Sequence, residues 1–101
     1  MNLTQEEWTK RLAESTNAVV LDVRTADEVA QGKIEGAIVH DIFDAAGFME
    51  AVSSFDPSKE YFVYCRSGNR SGQACAILRS QGIENAYNLM GGMLDWQGDL
   101  V

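Results

Sequence analysis

Tyr61-Phe62-Val63-Tyr64-Cys65-Arg66-Ser67-Gly68-Asn69-Arg70-Ser71-Gly72 is the stretch whose reading decides the fold. An aromatic and β-branched run, Tyr61 to Tyr64, stops at a cysteine. Polar and glycine positions follow. A helical pattern then runs from Ser71 to Gln81, with Ala74, Cys75 and Leu78 on one face and Gly82 at the C′ position. A thiol is thereby set in a tight turn between a strand and a helix N-terminus. The first N–H groups of a helix have no partner within it, so they point into that turn with the positive end of the helix dipole. A thiolate is stabilised there, and so is an anion above it. Arg66 and Arg70 add positive charge to a chain whose formal net charge is -7.

Working outward, Ala18 to Val23 is almost continuously apolar, the mark of a strand covered on both faces. Gly36 to Val39 and Ala86 to Leu89 read as two more strands, beside Tyr61 to Tyr64. Helical segments fall between them. Thr4 and Glu7 form a capping box, with Leu3 and Trp8 placed as a hydrophobic staple, and the helix extends to about Ser15. Residues 25–31 are helical with Thr25 as N-cap and Glu28 in the first turn, and Gly32 ends them. Ala45 to Phe55 is helical, Asp56-Pro57 a turn, and Gly91-Gly92 opens a short helix from Met93 to Trp96. Strands alternating with helices in a short chain imply βαβ units and one parallel sheet. The expected architecture is a three-layer α/β/α fold with a small, mostly parallel sheet of four to five strands. In such sheets sites lie beyond the carboxyl ends of strands. Cys65 is at one such end, and Asp22 to Arg24 at another.

The chain has 101 residues and is 46% hydrophobic, which fits a single domain over residues 1–101 with one modest core. A pI near 4.5 argues against nucleic acid and anionic membrane as partners. No apolar run is long enough to span a bilayer, and the polar, acidic start is unlike a signal peptide. Cys65 and Cys75 have neither metal-site spacing nor a disulfide-framework pattern, so no metal and a reducing, cytoplasmic compartment are expected. Nothing resembles a coiled coil, and a monomer is the default.

Two stretches closely resemble the rhodanese-like domain family. Leu21 to Ala37 is similar to its N-terminal signature, a strand ending in Asp-Val-Arg, a Glu in the next helix, then Gly-His-Ile-Pro-Gly-Ala. Cys65 to Arg70, followed by Ser71-Gly72, resembles its cysteine loop, and Gly91-Gly92 with Trp96 its closing segment. The likeness covers about residues 18 to 96. The chain departs from the family at Lys33, where His is usual, at Glu35, where Pro is usual, and at Ile38 to Ile42. These departures bear on partner or substrate preference more than on fold.

The resemblance implies a sulfurtransferase of the thiosulfate sulfurtransferase type. Cys65 thiolate attacks the sulfane sulfur of a small anionic donor such as thiosulfate, sulfite leaves, and a persulfide remains. A thiol, cyanide or a protein cysteine then accepts the sulfur. No cofactor is expected, because sulfur is carried on the residue. A free thiol with pKa near 8.5 is only roughly 3% thiolate at neutral pH, so the site must favour the anion. Gly68 suits a positive φ or a close backbone approach, and loop amides curled toward one point make an anion nest. Arg66 and Arg70 are expected to bind substrate charge, and the backbone of Ser67, Gly68, Asn69 and Arg70 to hold the persulfide. Asp22, Arg24, Glu28 and Ser71 are expected in support, with Arg24 and Glu28 as an ion pair.

Two alternatives stand beside this reading. One is a persulfide carrier or interaction module serving a partner protein. The less favoured one is a cysteine-loop phosphatase or arsenate reductase. Those enzymes place five residues between Cys and Arg, whereas four separate Cys65 from Arg70 and Ser71 stands at the arginine position. Cys75 is expected as a buried structural thiol rather than a resolving cysteine, His40 as a non-catalytic histidine, and Trp8 and Trp96 as packing residues. The physiological donor and acceptor are not written in the sequence.

Overall fold

Tyr61, Phe62, Val63 and Tyr64 are all buried, which requires a strand covered on both faces. The computed structural model, which describes residues 1–101, supplies that cover. Its strands are β1 (Asn2–Leu3), β2 (Ala18–Asp22), β3 (Ile38–Val39), β4 (Glu60–Tyr64) and β5 (Ala86–Leu89). Its helices are α1 (Gln5–Glu14), α2 (Ala26–Val29), α3 (Ala45–Ser53) and α4 (Asn69–Ser80), and a 3-10 turn covers Gly92–Leu94. The strands form one sheet in the order β1-β5-β4-β2-β3, and every pairing is parallel. β4 therefore lies at the centre.

Alternate residues of β4 feed two cores. Tyr61 and Val63 join Leu21, Phe48, Val52, Ala74, Cys75 and Leu78 between the sheet and α3 and α4. Phe62 and Tyr64 join Trp8, Tyr87 and Leu89 between the sheet and α1. Trp8 anchors that second layer. It meets Phe62, Tyr64 and Trp96 edge-on at centroid distances of 5.8, 6.3 and 6.0 Å, and its indole N–H donates to the Tyr87 carbonyl. The three-layer expectation holds, as do both threonine caps. Each is a complete capping box, Thr4 with Glu7 and Thr25 with Glu28.

The differences from expectation are local. β1 pairs Asn2 with Asn88 and Leu3 with Leu89. Two residues carry no periodicity, and Leu3 read only as a staple. α2 closes after one turn and α3 stops at Ser53, before Phe55. The final helix is a 3-10 turn rather than Met93 to Trp96. α4 begins at Asn69 instead of Ser71, because Gly68 at φ 98 turns the chain directly into the helix. Its first turn thus contains Arg70 and Ser71, two residues expected in the loop or at its edge.

Strand order fixes the position of the site. From β2 the chain goes to β3 on one side, then returns to β4 on the other. The carboxyl ends of β2 and β4 flank this switch point, where open α/β sheets form their crevice. Asp22 and Tyr64 are paired in register there, and the Val23 N–H donates to the Tyr64 carbonyl at 3.2 Å.

Candidate active site

Cys65 directly follows Tyr64, so its thiol emerges at the switch point. Its residue exposure is 0%. The turn that covers it is short, Arg66 to Gly68, before α4 begins. The Gly68 N–H donates to Cys65 Sγ at 3.1 Å, and the Ser71 hydroxyl lies 3.3 Å from the same sulfur. Burial pushes the thiol's pKa up. Against it act the Ser71 hydroxyl and the amides of Ser71, Gly68 and Ser67, and together they bring the pKa below the ordinary thiol value. Of the expected nest, the Gly68 and Ser67 amides act on the sulfur, whereas those of Asn69 and Arg70 do not. The Ser71 amide takes part instead, and the strongest donor is the Ser71 hydroxyl on the first turn of α4. The thiolate's charge in turn helps to raise the pKa of Arg70, so that arginine and the anion favour one another.

A further residue, absent from the expected set, sets Ser71. Asn88 of β5 is 5% exposed. Its Oδ1 lies 2.5 Å from Ser71 Oγ, and its Nδ2 donates to the Gly68 carbonyl at 3.0 Å and to Asn2 Oδ1 at 2.9 Å. One side chain thus ties the first turn of α4, the loop and β1 together. The available signal was a polar residue inside a short strand that is otherwise apolar or aromatic, which in a buried strand calls for a reason.

The loop is also clamped from behind. The Met93 and Leu94 N–H groups donate to the carbonyls of Cys65 and Arg66, both at 3.0 Å. A Cβ on Gly92 would stand 2.5 Å from the Cys65 carbonyl oxygen and 2.6 Å from that of Arg66, so only glycine admits this approach. The Gly91-Gly92 pair is therefore part of the site's frame.

The charged residues sort differently from expectation. Arg24 does not pair with the Glu28 carboxylate. It pairs with Asp22, Nε and Nη2 reaching the carboxylate at 3.0 and 2.7 Å, and touches Glu28 only through that residue's carbonyl. Tyr64 adds its hydroxyl to Asp22 at 2.7 Å. Glu28 instead holds Arg70, with both guanidinium nitrogens donating at 2.7 and 2.8 Å. Arg70, with help from Thr25, holds the Glu28 carboxyl down to a pKa of about 2. Arg70 lies 5.4 Å over the ring of Phe43, which is 70% exposed on the rim. Arg66 is exposed and makes no ion pair. The side chains of Ser67 and Asn69 face outward, so these residues can serve a ligand chiefly through their backbone.

Beside the loop opens a cleft of about 500 Å³ whose lining includes Arg24, Glu28, Arg66, Leu94 and Leu100. Cys75 is buried in the α3–α4 core, where burial pushes its thiol up to about 12. Both cysteines are free thiols. The His40 ring packs 5.8 Å from Phe55 and hydrogen-bonds no loop residue. No helix is long and apolar enough to cross a membrane.

Residues 5–99 match the family described as Rhodanese-like domain. A protein named Sulfurtransferase from Allochromatium vinosum is 36% identical, over 93% of this chain and 85% of its own length. The crystal structure of a Rhodanese-like Domain Protein from Staphylococcus aureus superposes with a TM-score of 0.83 at 32% identity, covering 99% of this chain and 95% of that one. A tRNA uridine(34) hydroxylase from Acaryochloris marina is 30% identical over 93% of this chain, which spans only 34% of that protein.

Proposed function

Because the chain belongs to the rhodanese-like domain family, we propose that it is a sulfurtransferase that carries sulfane sulfur as a persulfide on Cys65. The observation that carries this reading is the convergence of Gly68 N–H and the Ser71 hydroxyl on one buried sulfur whose pKa is lowered. Cys65 thiolate attacks the outer sulfur of a donor. The new Sγ–S bond forms as the donor's S–S bond breaks, and the electron pair leaves on sulfite or on a thiolate. The amides of Ser67, Gly68 and Ser71 then serve the persulfide. An acceptor thiolate or cyanide takes the outer sulfur, and the electron pair of the broken bond returns to Sγ. Arg66 faces incoming anions. Arg70 is held by Glu28, and its part is to fix the first turn of α4 more than to bind substrate.

A phosphatase reading fits poorly. Such chemistry needs a guanidinium at the closing position of the loop, on the first turn of the helix, to clamp a tetrahedral oxyanion. Here Ser71 occupies that helix position with its hydroxyl on the thiol, and Arg70 is already engaged by a carboxylate.

Incubation with thiosulfate or a hydropersulfide is expected to add one sulfur atom to Cys65 in the intact mass. Adding cyanide should then release thiocyanate over many turnovers. Charging without turnover on any small acceptor would instead assign the carrier role. Phosphate-ester hydrolysis with no sulfur uptake would overturn the proposal.

The thiol's acidity gives a second expectation. A hydroxyl has one proton to donate, so Ser71 gives it either to Asn88 or to sulfur. Ionisation of Cys65 draws it to Sγ. Thiolate dominates above the lowered pKa, and reactivity falls as pH drops through it. Ser71→Ala removes the leading stabiliser of the anion, so its alkylation profile moves to higher pH. At neutral pH alkylation by iodoacetamide should slow about tenfold, the scale of one hydrogen bond to a charged acceptor, and recover in alkali. An unshifted profile would refute this role for Ser71.

A further inference from the structure

Three guanidinium groups surround the loop, and two are already neutralised. Arg24 is bound to Asp22 and Arg70 to Glu28. Arg66 is the unpaired one, and it faces the cleft. The same cleft carries the exposed carboxylate of Asp27. Arg24, Arg66 and Arg70 are thus matched in number by Asp22, Asp27 and Glu28, so the mouth of the site offers a dianion no net positive charge. The loop amides do not correct this. They aim at Sγ, and a donor's anionic end stands at least one S–S bond farther out, about 2 Å, among the side chains.

The cleft has an apolar wall that a small inorganic anion would leave unused. Met93, Leu94 and Leu100 line it, and Leu94 and Leu100 are 62% and 47% exposed. The wall is built and held in place. The Leu94 N–H is fixed to the Arg66 carbonyl, and Val101 exchanges two backbone hydrogen bonds with Lys33, at 2.8 and 3.1 Å, which seats Leu100 over Gly32. A volume of about 500 Å³ suits an organic molecule.

Resting on the sulfurtransferase reading, we propose that the preferred donor is an organic hydropersulfide with an aliphatic body and a single carboxylate, rather than thiosulfate. The carboxylate meets Arg66, and the body lies on Leu94 and Leu100. In the loading step Cys65–S⁻ attacks the terminal sulfur of R–S–SH. The Sγ–S bond forms, the S–S bond of the donor breaks, and R–S⁻ leaves with the electron pair of that bond. The proton stays on the transferred sulfur, giving Cys65–S–SH, so no external oxidant or reductant is consumed.

The test compares three donors in loading Cys65, followed by intact mass and by release of sulfite or thiol. They are thiosulfate, the hydropersulfide of 3-mercaptopropionate, and that of its neutral methyl ester. The carboxylated hydropersulfide is expected to exceed thiosulfate in kcat/KM by at least about fivefold. Arg66→Gln should lower its advantage over the ester by about three- to fivefold, the scale of one partly exposed ion pair. Leu94→Ser with Leu100→Ser should reduce both hydropersulfides relative to thiosulfate by about tenfold, as apolar contact is removed. These side chains are exposed, so the fold is not at stake. Equal or faster loading by thiosulfate, or an Arg66→Gln effect identical on acid and ester, overturns the proposal and leaves the sulfurtransferase reading standing. Absence of sulfur on Cys65 with every donor overturns both.

Discussion

Cys65→Ser is expected to fold normally, take up no sulfur from any donor, and lose turnover by at least ~10⁴-fold, the scale seen when a covalent nucleophile is removed. The fold should be spared because the change is nearly isosteric and the hydroxyl inherits two partners, the Gly68 N–H and the Ser71 hydroxyl. The backbone of residue 65 keeps its clamp, since that contact is from the Met93 N–H to a carbonyl. The chemistry should vanish because an alcohol is not ionised at neutral pH and oxygen does not exchange with sulfur–sulfur bonds. Cys75 gives no bypass. Its thiol is buried among apolar side chains and held near pKa 12, so it supplies no thiolate. Intact mass, a turnover assay and a thermal melt on the same preparation separate these effects. Sulfur uptake by the serine variant, located at Cys75 by peptide mapping, would move the reactive group to α4. A large drop in melting temperature would make the activity loss uninformative, and Cys65→Ala would then be the control.

Much of this site could be read from the sequence because its main signals are local. A buried apolar run, a cysteine, a glycine able to take positive φ and a helical pattern occupy neighbouring positions, and the structure keeps them adjacent. The two threonine caps are local for the same reason. What sequence could not give is pairing across the fold. Arg24 and Glu28 lie four residues apart, a spacing that favours a pair along a helix, but Arg24 precedes the Thr25 cap and is not helical. Its guanidinium folds back to Asp22, while Glu28 turns to a residue 42 positions away. Asn88 is the sharper case. Its role exists only because β5 neighbours β4 and β1, which brings its amide against Ser71, Gly68 and Asn2 together. Strand order, not periodicity, decides that contact.

Asp22→Ala should cost about 3–5 kcal/mol of stability, the penalty for stripping the partner from a buried charge. Asp22 is 0% exposed and Arg24 5%. The carboxylate accepts from Arg24 Nε and Nη2, from the Arg24 amide at 3.0 Å, and from the Tyr64 hydroxyl. Removing it strands a guanidinium that cannot lose its proton and a phenol that burial, together with Asp22, keeps protonated. Arg24 would retain the carbonyls of Gly32 and Glu28 as its hydrogen-bond acceptors, with the Tyr64 ring beneath it. For a chain of this length the loss corresponds to a fall in melting temperature of at least about 12 °C. The intact pair itself contributes little, because both ions are desolvated in forming it. Asp22→Leu combined with Arg24→Met should therefore recover most of the loss, short of what those two carbonyls and the Tyr64 hydroxyl forfeit. Thiol reactivity supplies the contrast. The donors that lower the Cys65 pKa come from the loop and α4, none from Asp22 or Arg24. In folded Asp22→Ala the pH profile of Cys65 alkylation should then stay close to the parent's while denaturation shifts strongly. A cost under about 1 kcal/mol would mean that water reaches Arg24 readily. A displaced alkylation profile would mean that the end of β2 sets the geometry of the thiol as well as the stability of the sheet.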